Sequence, residues 1–187
     1  MFNPLNLLSK IIKSSNQREL DRVQKIVTKT NNLENNIIKL SDDDFPKKTK
    51  EFIKKINEGV SLNEILPEAF ALVREASKRI INERHFDCQI LGSVVMHEGK
   101  ICEAKTGEGK TNMIVCAAYL NALSKKGVHV VTVNDYLAKR DCQNMGRIYN
   151  FLGLTTGYIN NDQSDEERKY NYSCDITYAT NSELGFD

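Results

Sequence analysis

No stretch of this chain stays apolar for the roughly 20 residues that a membrane-spanning helix needs, so no transmembrane anchor is expected within it. The first fifteen residues have neither a leading basic region nor an obvious small-residue cleavage site, which argues against a secretory signal. An excess of one charge is missing too. With 26 Lys and Arg against 25 Asp and Glu, the formal net charge is +1, and no general field draws the chain to nucleic acid or an anionic membrane, although basic patches can form locally. The five cysteines, Cys88, Cys102, Cys116, Cys142 and Cys174, contain no C-x-x-C pair and are odd in number. That speaks against a disulfide framework and a zinc site, and leaves reduced, mostly buried small hydrophobes. His85, His97 and His129 are scattered, with no carboxylate at a spacing that singles out a metal or acid–base site; His129, inside a β-rich run, is expected to be structural. At 187 residues the chain suits one ordinary domain with an added element, in keeping with a cytosolic globular protein.

One further absence points towards chemistry. In Ala104-Lys105-Thr106-Gly107-Glu108-Gly109-Lys110-Thr111, Ala104 stands where the G-x-x-x-x-G-K-[ST] signature has its first glycine. The rest keeps what a phosphate-gripping loop requires. Gly107 and Gly109 let the backbone take positive φ and approach phosphate oxygens with no Cβ in the way, so that successive N–H groups can converge on the anion. Lys110 supplies a point charge for β- and γ-phosphates, and the Thr111 hydroxyl suits Mg²⁺. Upstream, residues 100–104 predict a short strand. Downstream, Met113, Ile114, Ala117, Ala118, Leu120 and Leu123 predict a buried helix over residues 112–124, closed by Gly127. Strand, loop and helix come in the order the mechanism needs, and the helix N-terminus adds its dipole to the lysine charge. The competing reading is a Gly-rich turn with a solvated lysine.

The chain divides into a helical front, residues 1–83, and an alternating back, residues 84–187. Phe2, Leu5, Leu8, Ile11 and Ile12, with Lys10 and Lys13 at the polar edge, predict a short amphipathic segment. Leu20, Val23, Ile26, Val27, Ile37 and Leu40 continue the helical spacing, which the Asn-rich residues 31–36 weaken. Ser41-Asp42-Asp43-Asp44 offers an N-cap and early negative charge before Phe45, Phe52, Ile53 and Ile56. Ser61 and Glu64 form a capping box for a following turn, and Pro67 is expected to begin a helix that runs to about Ile81. In the back half, residues 128–133, 154–159 and 175–179 are candidate strands. Asn134 or Asp135 caps the helix between the first two, and Ser164 with Glu167 caps a short polar one before the third. Such alternation implies right-handed crossovers and a parallel sheet with helices on both faces, with ligands at the carboxyl ends of the strands.

Several runs point to one family. They are residues 67–79 (PEAFALVREASKR), 84–92 (RHFDCQILG), 106–111 (TGEGKT), 119–123 (YLNAL), 127–137, Lys139-Arg140-Asp141, 151–154 (FLGL) and 175–187 (DITYATNSELGFD). By these the chain resembles, essentially from end to end, the N-terminal part of SecA, the ATP-driven motor of bacterial preprotein translocation. The resemblance implies an α/β, helicase-like (RecA-like) P-loop domain with a parallel sheet, truncated here and preceded by a helical segment. It implies ATP and Mg²⁺ as cofactors, held by Thr106, Gly107, Glu108, Gly109, Lys110 and Thr111, with Lys110 the catalytic charge and Thr111 the metal-facing hydroxyl. Gln89 falls where the family reads adenine, a role that suits an amide able to donate and accept at once. Lys105 falls where the family has a basic residue. Asp135 and Arg140 lie in a motor motif, with helix cap and surface charge as competing readings.

Preproteins and the Sec channel are the implied partners, with an acidic phospholipid surface met by the amphipathic start and self-association as further contacts, and no nucleic acid. The implied location is cytoplasmic, peripheral on the inner face of the bacterial cytoplasmic membrane. Family members continue past Asp187 into an acidic Asp-Glu-x-Asp segment and a second motor domain, so the 187-residue chain alone is expected to hydrolyse ATP poorly or not at all. A non-catalytic nucleotide- or partner-binding remnant and a superfamily 2 nucleic-acid motor fragment are the alternative functions.

Overall fold

The computed structural model describes residues 14–187, so the amphipathic segment expected at Phe2 to Ile12 lies outside the described residues. Helix α1 (Ser15–Ile37) starts where the Ser14 hydroxyl accepts from the Gln17 N–H at 3.1 Å. It runs without a break through the Asn-rich stretch. Asn31 directs its side chain to tertiary partners, Arg74 and Asp87, and so does not compete for the helix backbone. Val23, Val27 and Ile37 bury one face of α1 against the remaining helices.

Helix α2 (Asp44–Asn57) starts within the run of residues 41–44 expected to cap it. Asp43 takes the cap position, and the Ser41 N–H and hydroxyl both donate to Asp44 Oδ2. Helix α3 (Leu62–Ile81) corrects one expectation, because Pro67 sits inside it instead of starting it. The capping box fixes the earlier start. The Ser61 N–H donates to Glu64 Oε1 at 3.2 Å and the Glu64 N–H donates to Ser61 Oγ at 3.3 Å. The hydrogen bond that Pro67 cannot make is offset by burial of Ile65, Leu66, Ala69 and Phe70 around it.

The back half follows as α4 (Asp87–His97), α5 (Lys110–Ala122), β1 (Val128–Thr132), α6 (Asp135–Phe151), β2 (Thr156–Tyr158), α7 (Asp165–Tyr172), β3 (Ile176–Thr180) and α8 (Asn181–Phe186). Asn134 is the cap of α6, its Oδ1 accepting from the Leu137 N–H at 2.9 Å, and Asp135 is the first helical residue. The three strands are parallel in the order β1-β3-β2, and central β3 is buried at every position. The crossovers β1 to β2 and β2 to β3 run in opposite directions, and right-handed connections then put α6 and α7 on opposite faces. Side chains agree with this placement. Thr177 Oγ1 donates to the Asn171 carbonyl of α7 at 2.7 Å, whereas the next residue, Tyr178, meets Tyr149 of α6 with their hydroxyls 3.5 Å apart.

Residues 100–104 form no strand, contrary to the sequence expectation. They have no ladder partner among the described residues, Ile101 is 98% exposed, and Lys100 is drawn into ion pairs with Glu19 and Glu98. Without a neighbour to take its N–H and C=O groups, an extended segment stays solvated loop. One continuous cluster of buried side chains runs from Val23 and Phe45 through Phe70 and Tyr119 to Ile176 and Tyr178, joining the helical front to the sheet. The Thr49 and Tyr119 hydroxyls meet inside it at 2.7 Å. Among the described residues, no helix is long and apolar enough to cross a membrane.

Candidate nucleotide-binding site

The loop before α5 is closed by its own groups. The Glu108 N–H donates to the Lys105 carbonyl at 3.2 Å, and the Lys105 N–H donates to Glu108 Oε2 at 2.7 Å. Gly107 and Gly109 take φ of 89° and 74°, where an L side chain is strained. Gly109 is constrained twice, since a Cβ there would stand 2.2 Å from Gln89 Nε2. The N–H groups of Thr106, Gly107, Gly109, Lys110 and Thr111 have no hydrogen-bond partner among the described residues. Lys110 and Thr111 open α5, so its dipole adds to the partial positive charge of those N–H groups.

Facing the loop is a lip formed by residues 82–89, between α3 and α4. His85 is 1% exposed, and its Nε2 lies 2.9 Å from the Asn112 carbonyl on α5. A carbonyl accepts only, so Nε2 carries the proton. Burial pushes this imidazole down to about 4, and it stays neutral. Asn112 returns a bond to the lip, its Nδ2 donating to Glu83 Oε2 at 2.7 Å. Gln89 joins lip and loop directly: its Oε1 accepts from the Phe86 N–H at 2.9 Å and its Nε2 donates to the Glu108 carbonyl at 3.1 Å. One N–H and one lone pair of the amide remain for a ligand.

Between lip and loop lies a cleft of about 790 Å³, walled by Arg84, Phe86, Gln89, Gly107, Gly109 and Asn112 among others. That volume is in the range of small-molecule sites. The cleft brings Gln89, Gly107, Glu108 and Gly109 together, with Lys110 and Thr111 following directly in α5. Asp135 and Arg140 are not in its wall; Arg140 pairs with Asp141 Oδ1 at 2.6 Å. Phe86, which sequence reasoning did not single out, is 68% exposed in the wall. An aromatic is by default a core residue, and the only signal in the sequence was its place three residues before Gln89. Among the described residues no group of three His, Cys, Asp or Glu side chains could hold a metal. Cys116, Cys142 and Cys174 are buried, and burial pushes the Cys116 thiol up to about 12. His129 is exposed on β1, its ring 5.8 Å from that of Tyr172.

A model of the SecA DEAD-like domain family matches residues 8–187. The chain belongs to the SecA family. It is 70% identical over 187 residues to the protein translocase subunit SecA of Pelagibacter ubique (strain HTCC1062), covering 100% of this chain and 22% of that protein. Identity to the protein translocase subunit SecA of Geobacter metallireducens is 57% over 182 residues, covering 97% of this chain and 20% of the relative. For that of Clostridium botulinum (strain Alaska E43 / Type E3) it is 53% over 183 residues, 98% and 22%. The chain thus spans about a fifth of the length of these SecA relatives. Its helices over a parallel three-stranded sheet agree with the α/β, RecA-like fold of a SecA DEAD-like domain.

Proposed function

We propose that this chain grips ATP in the cleft between lip and loop, as the nucleotide-binding part of a SecA-type motor that moves preproteins through the Sec channel of the bacterial cytoplasmic membrane. The observation that carries this reading is the pairing of two different grips on one cleft. On one side are Gly107 and Gly109 in the wall, part of a loop and first helical turn in which five backbone N–H groups have no partner among the described residues and which Lys110 directly continues; on the other are an exposed aromatic residue and a half-satisfied amide. The first suits phosphate and the second suits a base. Thr106, Gly107, Glu108, Gly109, Lys110 and Thr111 hold the phosphates, and Lys110 stabilises charge as the γ-phosphoryl transfers. Thr111 offers its hydroxyl to Mg²⁺, which neutralises phosphate charge when bound. Gln89 reads the adenine edge, and Phe86 stacks on its face.

Preproteins and the channel are the partners this reading assigns, on the inner face of the membrane, with acidic phospholipid and a second copy as further contacts. The test is a titration of a fluorescent ATP analogue with Mg²⁺ against the wild type and Lys110→Ala. Loss of the ammonium is expected to weaken binding about tenfold or more, as for a charge-assisted contact. Equal affinities would refute the phosphate role of Lys110.

A further inference from the structure

Phe86 is in the cleft wall and largely exposed, so its place there depends on how its neighbours in the chain are held. His85 anchors one side through Asn112. On the other side Asp87, the first residue of α4, is held on both carboxylate oxygens. Its Oδ1 accepts from Arg74 Nη2 at 3.0 Å and its Oδ2 accepts from Asn31 Nδ2 at 3.0 Å. Arg74, on α3, is 1% exposed, and its Nη1 donates to Asn31 Oδ1 at 2.6 Å and to Glu34. Glu34 also accepts from Arg84 Nη2 at 2.7 and 2.9 Å. Burial alone would raise the Glu34 carboxyl, but the two guanidinium groups outweigh that and hold it below its ordinary value.

The direction of every bond in this triangle is forced. Arg74 can only donate and Asp87 can only accept, so Asn31 must give its oxygen to the one and its NH₂ to the other. A turned Asn31 amide would set donor against donor and acceptor against acceptor. The network joins α1 and α3 to the first residue of α4, directly after Phe86 and two before Gln89. Helix α1 contributes no residue to the wall of the cleft.

We propose that Asp87, held by Arg74 and Asn31, is a positioning residue of the nucleotide site, through which helix α1 aligns Phe86 and Gln89 with the base. This rests on the cleft being an adenine-nucleotide site. The bonds of the network end on Asp87 and Arg84 of the lip and none reaches residues 104–111, so its loss is expected to cost affinity for the base more than affinity for phosphates. A merely structural role would reduce both together.

The experiment compares Mg-ATP with Mg-tripolyphosphate, which has no base, by equilibrium binding to the wild type, Asp87→Asn, Asn31→Ala and the exchange Asn31→Asp with Asp87→Asn. In Asp87→Asn the new NH₂ meets that of Asn31, and ATP is expected to bind about fivefold more weakly, as for one lost hydrogen bond, with tripolyphosphate within about twofold of wild type. Asn31→Ala, outside the cleft, is expected to give the same selective loss, and it serves as the test if Asp87→Asn does not fold. The exchange restores the donor–acceptor pattern, because a carboxylate at 31 accepts from Arg74 and from the amide at 87, whose oxygen accepts from Arg74 Nη2. It is expected to recover ATP affinity to within about twofold. Unchanged ATP affinity in the single variants, a parallel loss for both ligands, or no recovery in the exchange would overturn the proposal. A wild type that binds tripolyphosphate and not ATP would instead overturn the adenine reading on which it rests.

Discussion

At the scale of single residues, His85 shows most directly how burial sets chemistry. Its ring sits at the join of lip and α5 with Nε2 bonded to the Asn112 carbonyl, while Nδ1 has no partner among the described residues. Burial lowers its value from the ordinary 6.5 to about 4, against a bond to Asn112 that raises it. A depressed histidine leaves stability untouched above the unfolded value. As pH falls below about 6.5, the unfolded chain takes a proton that the folded chain refuses, and stability is lost down to about pH 4, by roughly 3 kcal/mol in all. In urea unfolding of the wild type and His85→Gln, the difference between the two is therefore expected to move against the wild type by about 2 kcal/mol from pH 7 to pH 4.5. A difference independent of pH would show that the ring protonates as easily folded as unfolded. The sequence alone held no sign of this, because the burial of His85 depends on helices from distant parts of the chain. For Gly107 and Gly109, by contrast, the positive φ was legible from their spacing alone.

At the scale of elements, local signals served where the determinants were local. The boxes Ser61 with Glu64 and Ser164 with Glu167 both form as their spacing implied, and each opens a helix. Pro67 misled because its preference for a first turn is weaker than a complete box followed by buried Ile65 and Leu66. Replacing Ser61 by Ala is expected to cost about 1 kcal/mol and lower the melting temperature by about 2–4 °C, which a thermal melt would show. An unchanged melt would mean that α3 is held by packing alone. The Asn-rich part of α1, read as helical but weakened, runs unbroken, and the strand expected at residues 100–104 does not form, for one shared reason. Asn31 is helical because Arg74 and Asp87 engage its side chain, and residues 100–104 are loop because no neighbouring strand accepts their backbone. Neither partner is near in sequence.

At the scale of the whole molecule, the site exists because one hydrophobic cluster locks the helical front to the sheet and sets two separate segments across a cleft. The loop could be recognised from its own residues. The lip could not, and Gln89 was singled out only through the likeness to SecA, since an amide in a helix start carries no signature of its own. In the proposed site, base choice would rest on the fixed orientation of one amide. With Oε1 fixed by the Phe86 N–H and Nε2 by the Glu108 carbonyl, the Gln89 amide cannot turn over. Its remaining N–H and lone pair match adenine N7 and N6–H₂, whereas guanine O6 would set an acceptor against that lone pair. The most direct measurement is calorimetric titration of the chain with Mg-ATP and with Mg-GTP. Binding of ATP about tenfold or more tighter than GTP is the expected result; equal affinity for the two nucleotides, or binding of neither, would contradict an adenine-nucleotide site between lip and loop.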